Sequence, residues 1–94
     1  MITKEEAYNK IKSYLDKNIK YSSIDSINEI AFTSKKEMIY PISRGKYEGK
    51  KIDYYAISYG EIWGIEERSM GILIHAETGE LLYIITPGYI DIEE

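Results

Sequence analysis

GILIHAETGELLYIITPG, residues 71–88, holds two apolar runs separated by a short polar interval that ends in glycine. GILIHA (71–76) and ELLYIIT (80–86) read as β-strands, with Glu77-Thr78-Gly79 as the loop between them. Gly79 supplies the positive φ that so short a loop requires. Pro87 and Gly88 end the second strand. Strands joined this tightly run antiparallel, so the chain is expected to build an antiparallel sheet.

Working upstream, KIDYYAISY (51–59) is a strand by composition. Asp53, Tyr55, Ile57 and Tyr59 alternate there against Ile52, Tyr54, Ala56 and Ser58. GEIWGIEERSMG (60–71) interrupts the pattern with glycines and charge, and reads as a long connection or a bulged strand. RGKYEGK (44–50) is a glycine-bearing loop. MIYPIS (38–43) is β-like, but Pro41 confines it to an edge or a bulge. INEIAFT (27–33) places Ile30 and Phe32 on one face of a strand. IKYSSIDS (19–26) is a connection or a short strand, and the tail YIDIEE alternates apolar with acidic.

The N-terminal segment has helical spacing. Thr3 and Glu6 form an S/T-x-x-E capping box, and Ile2 and Ala7 stand where a hydrophobic staple closes. Ala7, Ile11, Tyr14 and Leu15 make one apolar stripe. Glu5 and Glu6 lie at the positive end of the helix dipole and Lys17 at the negative end. A helix over residues 4–17 is predicted, with Asn18 as a left-handed stop. The whole is a single α+β domain, residues 1–94: one N-terminal helix packed on a curved antiparallel β-sheet of about four to five strands.

Ninety-four residues hold one core, and a chain this short is a candidate for homodimerisation. No run approaches the ~20 apolar residues of a membrane span. MITKEEAYNK has neither a basic n-region nor an apolar h-region, so no signal peptide is read and a cytoplasmic location is expected. The absence of cysteine removes disulfides, thiolate metal sites and cysteine nucleophiles together.

His75 is the single histidine. It shares a strand face with Leu73, and Glu77 and Glu80 stand close in sequence, so a general base or a metal ligand has to be considered. Zinc needs three or four ligands, and the chain offers no second histidine and no cysteine. No D-x-D or loop signature supports magnesium or calcium. Ser43, Ser58 and Ser69 lack a G-x-S-x-G context, and the glycines form neither a P-loop nor a dinucleotide fingerprint. No catalytic residue, metal or cofactor is assigned, and the chain is not read as an enzyme.

Charge and aromatic content point to binding. Residues 1–60 carry a net charge of +3, whereas residues 61–94 carry −7 with Arg68 as their one base. An anionic end repels nucleic acid and draws a basic protein surface. Ten tyrosines are present, and they stand on both faces of strand 51–59. A helix covers one face of a sheet, so some rings are expected on the open face. Tyr59, Glu61, Trp63, Glu66, Glu67 and Asp91 are the candidate partner contacts.

ITKEEAYNKIKSYLDKN (2–18) resembles the opening helix of small bacterial immunity proteins of the YrhB type, found beside polymorphic toxins. HAETGELLYI (75–84) resembles their closing hairpin. It is equally similar to the D-A-x-T-G-E-(I/L/V) hairpin of PepSY-like domains, with His75 where those have aspartate. The first resemblance implies a cytoplasmic protein that binds and neutralises one toxin. The second implies an exported or membrane-linked regulatory or inhibitory module.

Overall fold

A computed structural model of the chain describes residues 1–42, 45–86 and 89–92, the last four through their backbone. Helix α1 (Lys4–Leu15) leads into β1 (Tyr21–Ile24), a 3₁₀ turn (Ile27–Glu29) and β2 (Ala31–Thr33). Strands β3 (Tyr54–Trp63), β4 (Glu66–His75), β5 (Leu81–Thr86) and β6 (Tyr89–Ile92) follow. The sheet order is β1-β3-β4-β5-β6, with β2 also paired to β3, and every pairing is antiparallel. β1 meets the C-terminal half of β3 and β2 its N-terminal half, so one broken edge strand spans both. The α+β architecture is as expected, and the sheet does not close into a barrel.

Helix α1 starts where its cap dictates. The Glu6 amide donates to Thr3 Oγ1 at 3.0 Å, and the Thr3 amide donates to Glu6 Oε1 at 2.9 Å. Ala7, Ile11 and Leu15 are fully buried against the sheet, and burying each isoleucine or leucine contributes about 1.5–3 kcal/mol. The chain start is tied down by Ile2, whose amide donates to the Ala76 carbonyl and whose carbonyl accepts from the Tyr55 hydroxyl. The helix closes two residues earlier than expected. Lys17 and Asn18 donate to carbonyls three residues back, a tightened last turn. Asn18 is not left-handed, since no non-glycine residue has a positive φ among those described. It ends the helix through its side chain, accepting from the Lys20 amide at 2.9 Å.

Two cores lie on opposite faces of the sheet. The larger packs α1 against Tyr55, Ile57, Tyr59, Met70, Ile72 and Ile74. The other face was expected to be open. Instead, residues 34–42 and 45–53 fold across it as a strap, joining Ile42, Met38, Tyr47 and Ile52 to Leu73, Leu82, Tyr83 and Tyr54. The strap is not a strand in its described residues. Its apolar side chains make a second core, while Lys35 N to Asp53 Oδ1 (2.7 Å) ties its ends and Gly49 N to the Ile42 carbonyl (2.8 Å) ties its middle. Tyrosines on both strand faces are thereby accounted for: of those with described side chains, only Tyr40 is exposed.

Residues 60–63 and 66–71 are regular strand joined by a two-residue turn, not a long connection or a bulged strand. β3 and β4 pair without a break from Tyr54↔His75 to Trp63↔Glu66. The 27–33 strand is the part that breaks, into a 3₁₀ turn and three strand residues. Pro87, Gly88, Ser43 at the end of MIYPIS and Arg44 at the start of RGKYEGK lie outside the described residues.

Candidate protein-binding site at the hairpin tip

Ten-residue strands on either side of a two-residue loop carry the β3–β4 hairpin beyond its neighbours. Gly64, at the first loop position, has φ +68°, as a type II′ hairpin turn requires. The next residue, Ile65, is wholly exposed at 103 % of its reference area. Ile62 is 45 % exposed, and its amide donates to the Lys20 carbonyl at 2.8 Å. That bond brings Ile19, 98 % exposed, to the same corner. Ile19, Ile62 and Ile65 thus place three exposed isoleucines at one end of the sheet.

The candidate contact residues divide into two layers. Glu66 and Glu67 are exposed beside the tip. Glu66 pairs with Arg68 at 2.8 Å, and the Arg68 guanidinium lies 5.6 Å from the centre of the half-buried Trp63 ring. Beneath them Tyr59 and Glu61 are buried on the helix side, Glu61 at only 8 % exposure. The Glu61 carboxylate accepts from Asn18 Nδ2 (2.6 Å), Trp63 Nε1 (2.9 Å) and the Tyr59 hydroxyl (3.3 Å). It therefore braces the tip from inside by joining the end of α1 to β3. Asp91 lies in β6 opposite Ile84, and its side chain is outside the described set. Sequence reasoning overlooked Ile19, Ile62 and Ile65. The available signal was an isoleucine placed in a turn, between Gly64 and Glu66.

The acids of the C-terminal third do not gather at one pole. Glu66 and Glu67 begin β4, while Glu77 and Glu80 follow its end, about 30 Å away at a strand's rise per residue. Glu77 pairs with the terminal amine at 3.4 Å. Glu80 accepts from the Tyr47 hydroxyl (2.6 Å) and from Lys46 Nζ (3.0 Å). The Tyr47 bond first, and Lys46 second, hold the Glu80 carboxyl down at about 2. Reciprocally, Glu80 raises both Tyr47 and Lys46 above their ordinary values. These contacts latch the strap to the β4–β5 turn.

His75 belongs to that latch. Its ring is buried, with its centre 4.7 Å from that of the Tyr47 ring in an edge arrangement. Nδ1 accepts from the Glu77 amide at 3.1 Å, so the imidazole caps the turn. Its carboxylate neighbours in sequence turn elsewhere, Glu77 to the amine and Glu80 to the strap. Among the described residues no three metal-ligating side chains come together. Nor is any described helix long and apolar enough to cross a membrane. No protein-family model, curated protein or solved structure matches the chain.

Proposed function

We propose that the protein is a small cytoplasmic binding module, an immunity protein that neutralises a cognate bacterial toxin by covering its working surface. The observation that carries this reading is the hairpin tip, where Ile19, Ile62 and Ile65 stand in water above a braced base. A loop that presents bare isoleucine at a net cost to solubility is accounted for by a partner that covers it. Glu66 and Glu67 flank the apolar contact and favour a basic approach, acting on association rate more than on final affinity. Neutralisation of this kind is occlusion and needs no chemistry from the module.

Co-expression tests it. The product of the neighbouring gene should arrest growth alone, and this protein should restore growth and co-purify with it. Ile65→Asp, in a fully exposed position, should keep the fold and lose protection. A neighbour that is harmless alone, or equally toxic with this protein present, overturns the proposal.

A further inference from the structure

The β3–β4 hairpin has an edge that no described strand covers along its full length. β5 pairs with β4 only from Gly71 to Ile74, so among the described residues no strand lies against the outer side of residues 66–69. The alternation of an antiparallel ladder says which backbone groups face that side. On β3, the Ile62 amide and the Ser58 carbonyl point away from β4, since they bond Lys20 and the Asp25 amide. Ile62 stands opposite Glu67, Gly60 opposite Ser69 and Ser58 opposite Gly71. Glu67, Ser69 and Gly71 therefore turn their N–H and C=O groups outward on β4. Gly71 uses them on β5, opposite Ile85. Glu67 and Ser69 turn theirs toward a side on which no described strand lies.

The same two residues line an open trough of about 210 Å³ on the sheet face that the strap leaves bare. Its walls include Ser23, Asp25, Ser58 and Gly60. Gly60 forms the floor: a Cβ there would sit 2.9 Å from Glu67 Oε2 and 3.0 Å from the Ser22 and Ser23 hydroxyls. Glu67 lies across this floor, held by the two serines. The trough thus offers two carboxylates and several hydroxyls, while its one cation, Arg68, is engaged with Glu66. Such a lining suits an ammonium or guanidinium group.

We propose that residues 66–69 of β4 accept an extended lysine- or arginine-bearing segment of a protein partner as an added strand, with one basic side chain seated in the trough over Gly60. The main chain of the segment bonds Glu67 and Ser69, and the carboxylates of Asp25 and Glu67 select its charge. The proposal deepens the toxin-binding reading by naming the kind of segment the tip engages.

The probe is a blocked heptapeptide of alternating lysine and valine, titrated into the ¹⁵N-labelled full chain. Amide shifts should centre on Gly60, Glu67 and Ser69. N-methylation at either the lysines or the valines should weaken binding about tenfold, and methylation at the other set should leave it intact, because only one edge of the peptide pairs. A glutamate-for-lysine peptide should not bind, and Glu67→Gln should weaken the lysine peptide several-fold. Equal binding of both methylated peptides reduces the contact to charge adsorption and overturns the proposal. So do shifts confined to β6, self-association of the chain through residues 66–69 that excludes peptide, or absence of binding. Rescue in co-expression without peptide binding removes the edge site and leaves the immunity reading. Peptide binding without rescue does the reverse.

Discussion

Replacing Glu61 by alanine tests whether the tip is braced from within. The substitution strips the acceptor from Asn18 Nδ2 at 2.6 Å, Trp63 Nε1 at 2.9 Å and the Tyr59 hydroxyl at 3.3 Å. A hydrogen bond to a charged acceptor contributes roughly 1.5–3 kcal/mol. The two short bonds would sum to about 3–6 kcal/mol, but Asn18 and Trp63 are only half-buried and recover water in the variant. A net loss of about 2–3 kcal/mol is expected. In a domain of this size that lowers the Tm by about 10–20 °C. Urea unfolding followed by Trp63 fluorescence measures it, and the signal comes from a ring in the network itself. Asn18→Ala, alone and combined with Glu61→Ala, should show a coupling of about 1 kcal/mol. A loss below about 1 kcal/mol, or additive single changes, would refute the bracing role.

Two further outcomes follow from the turn and the latch. Gly64→Ala introduces no clash, since nothing lies within 4 Å of the added Cβ, yet φ is +68° there; thermal unfolding should show a loss of about 1 kcal/mol from backbone strain alone. The depressed Glu80 carboxyl contributes stability that is complete above its unfolded value of about 4.5 and lost as pH falls toward 2. Protection factors of the strap amides, referred to the intrinsic exchange rate at each pH, should therefore fall across that window, and Tyr47→Phe, which removes the largest cause of the shift, should move the transition to higher pH.

The parts of this fold that were legible in the sequence rest on local chemistry. Thr3 and Glu6 marked the helix start because the capping box closes within one turn. Gly79 marked the β4–β5 loop because φ there is +78°. The helix end was harder to place, since Asn18 acts through a side chain that reaches Glu61, 43 residues on. Gly60 and Gly71 looked like interruptions, but they sit in regular strands. Gly60 leaves room for the Glu67 carboxylate and the serine hydroxyls, and neither is visible from strand periodicity. The strap was missed for a related reason. Its apolar residues, Met38, Ile42, Tyr47 and Ile52, have no common period and are organised only by the sheet face they cover. Residues 61–94 are acidic along the chain, yet a ten-residue strand carries their charges to opposite ends.

The short loop at Gly64-Ile65 also sets an order of assembly. β3 and β4 are neighbours in the chain, so their ladder closes on the scale of a hairpin, roughly 1–10 μs. β2 can reach β3 only after residues 34–53 have looped out, and α1 must cross the whole of that segment to find Ile72 and Ile74. Loop closure makes those steps slower than the hairpin, although lengthening the strap would add only about 0.6 kcal/mol per doubling. Residues of β4 alternate between the two cores, with Ile72 and Ile74 on one side and Leu73 on the other. Its early formation presents both binding faces at once. Helix and strap then dock on a template already in register, and neither has to wait for the other.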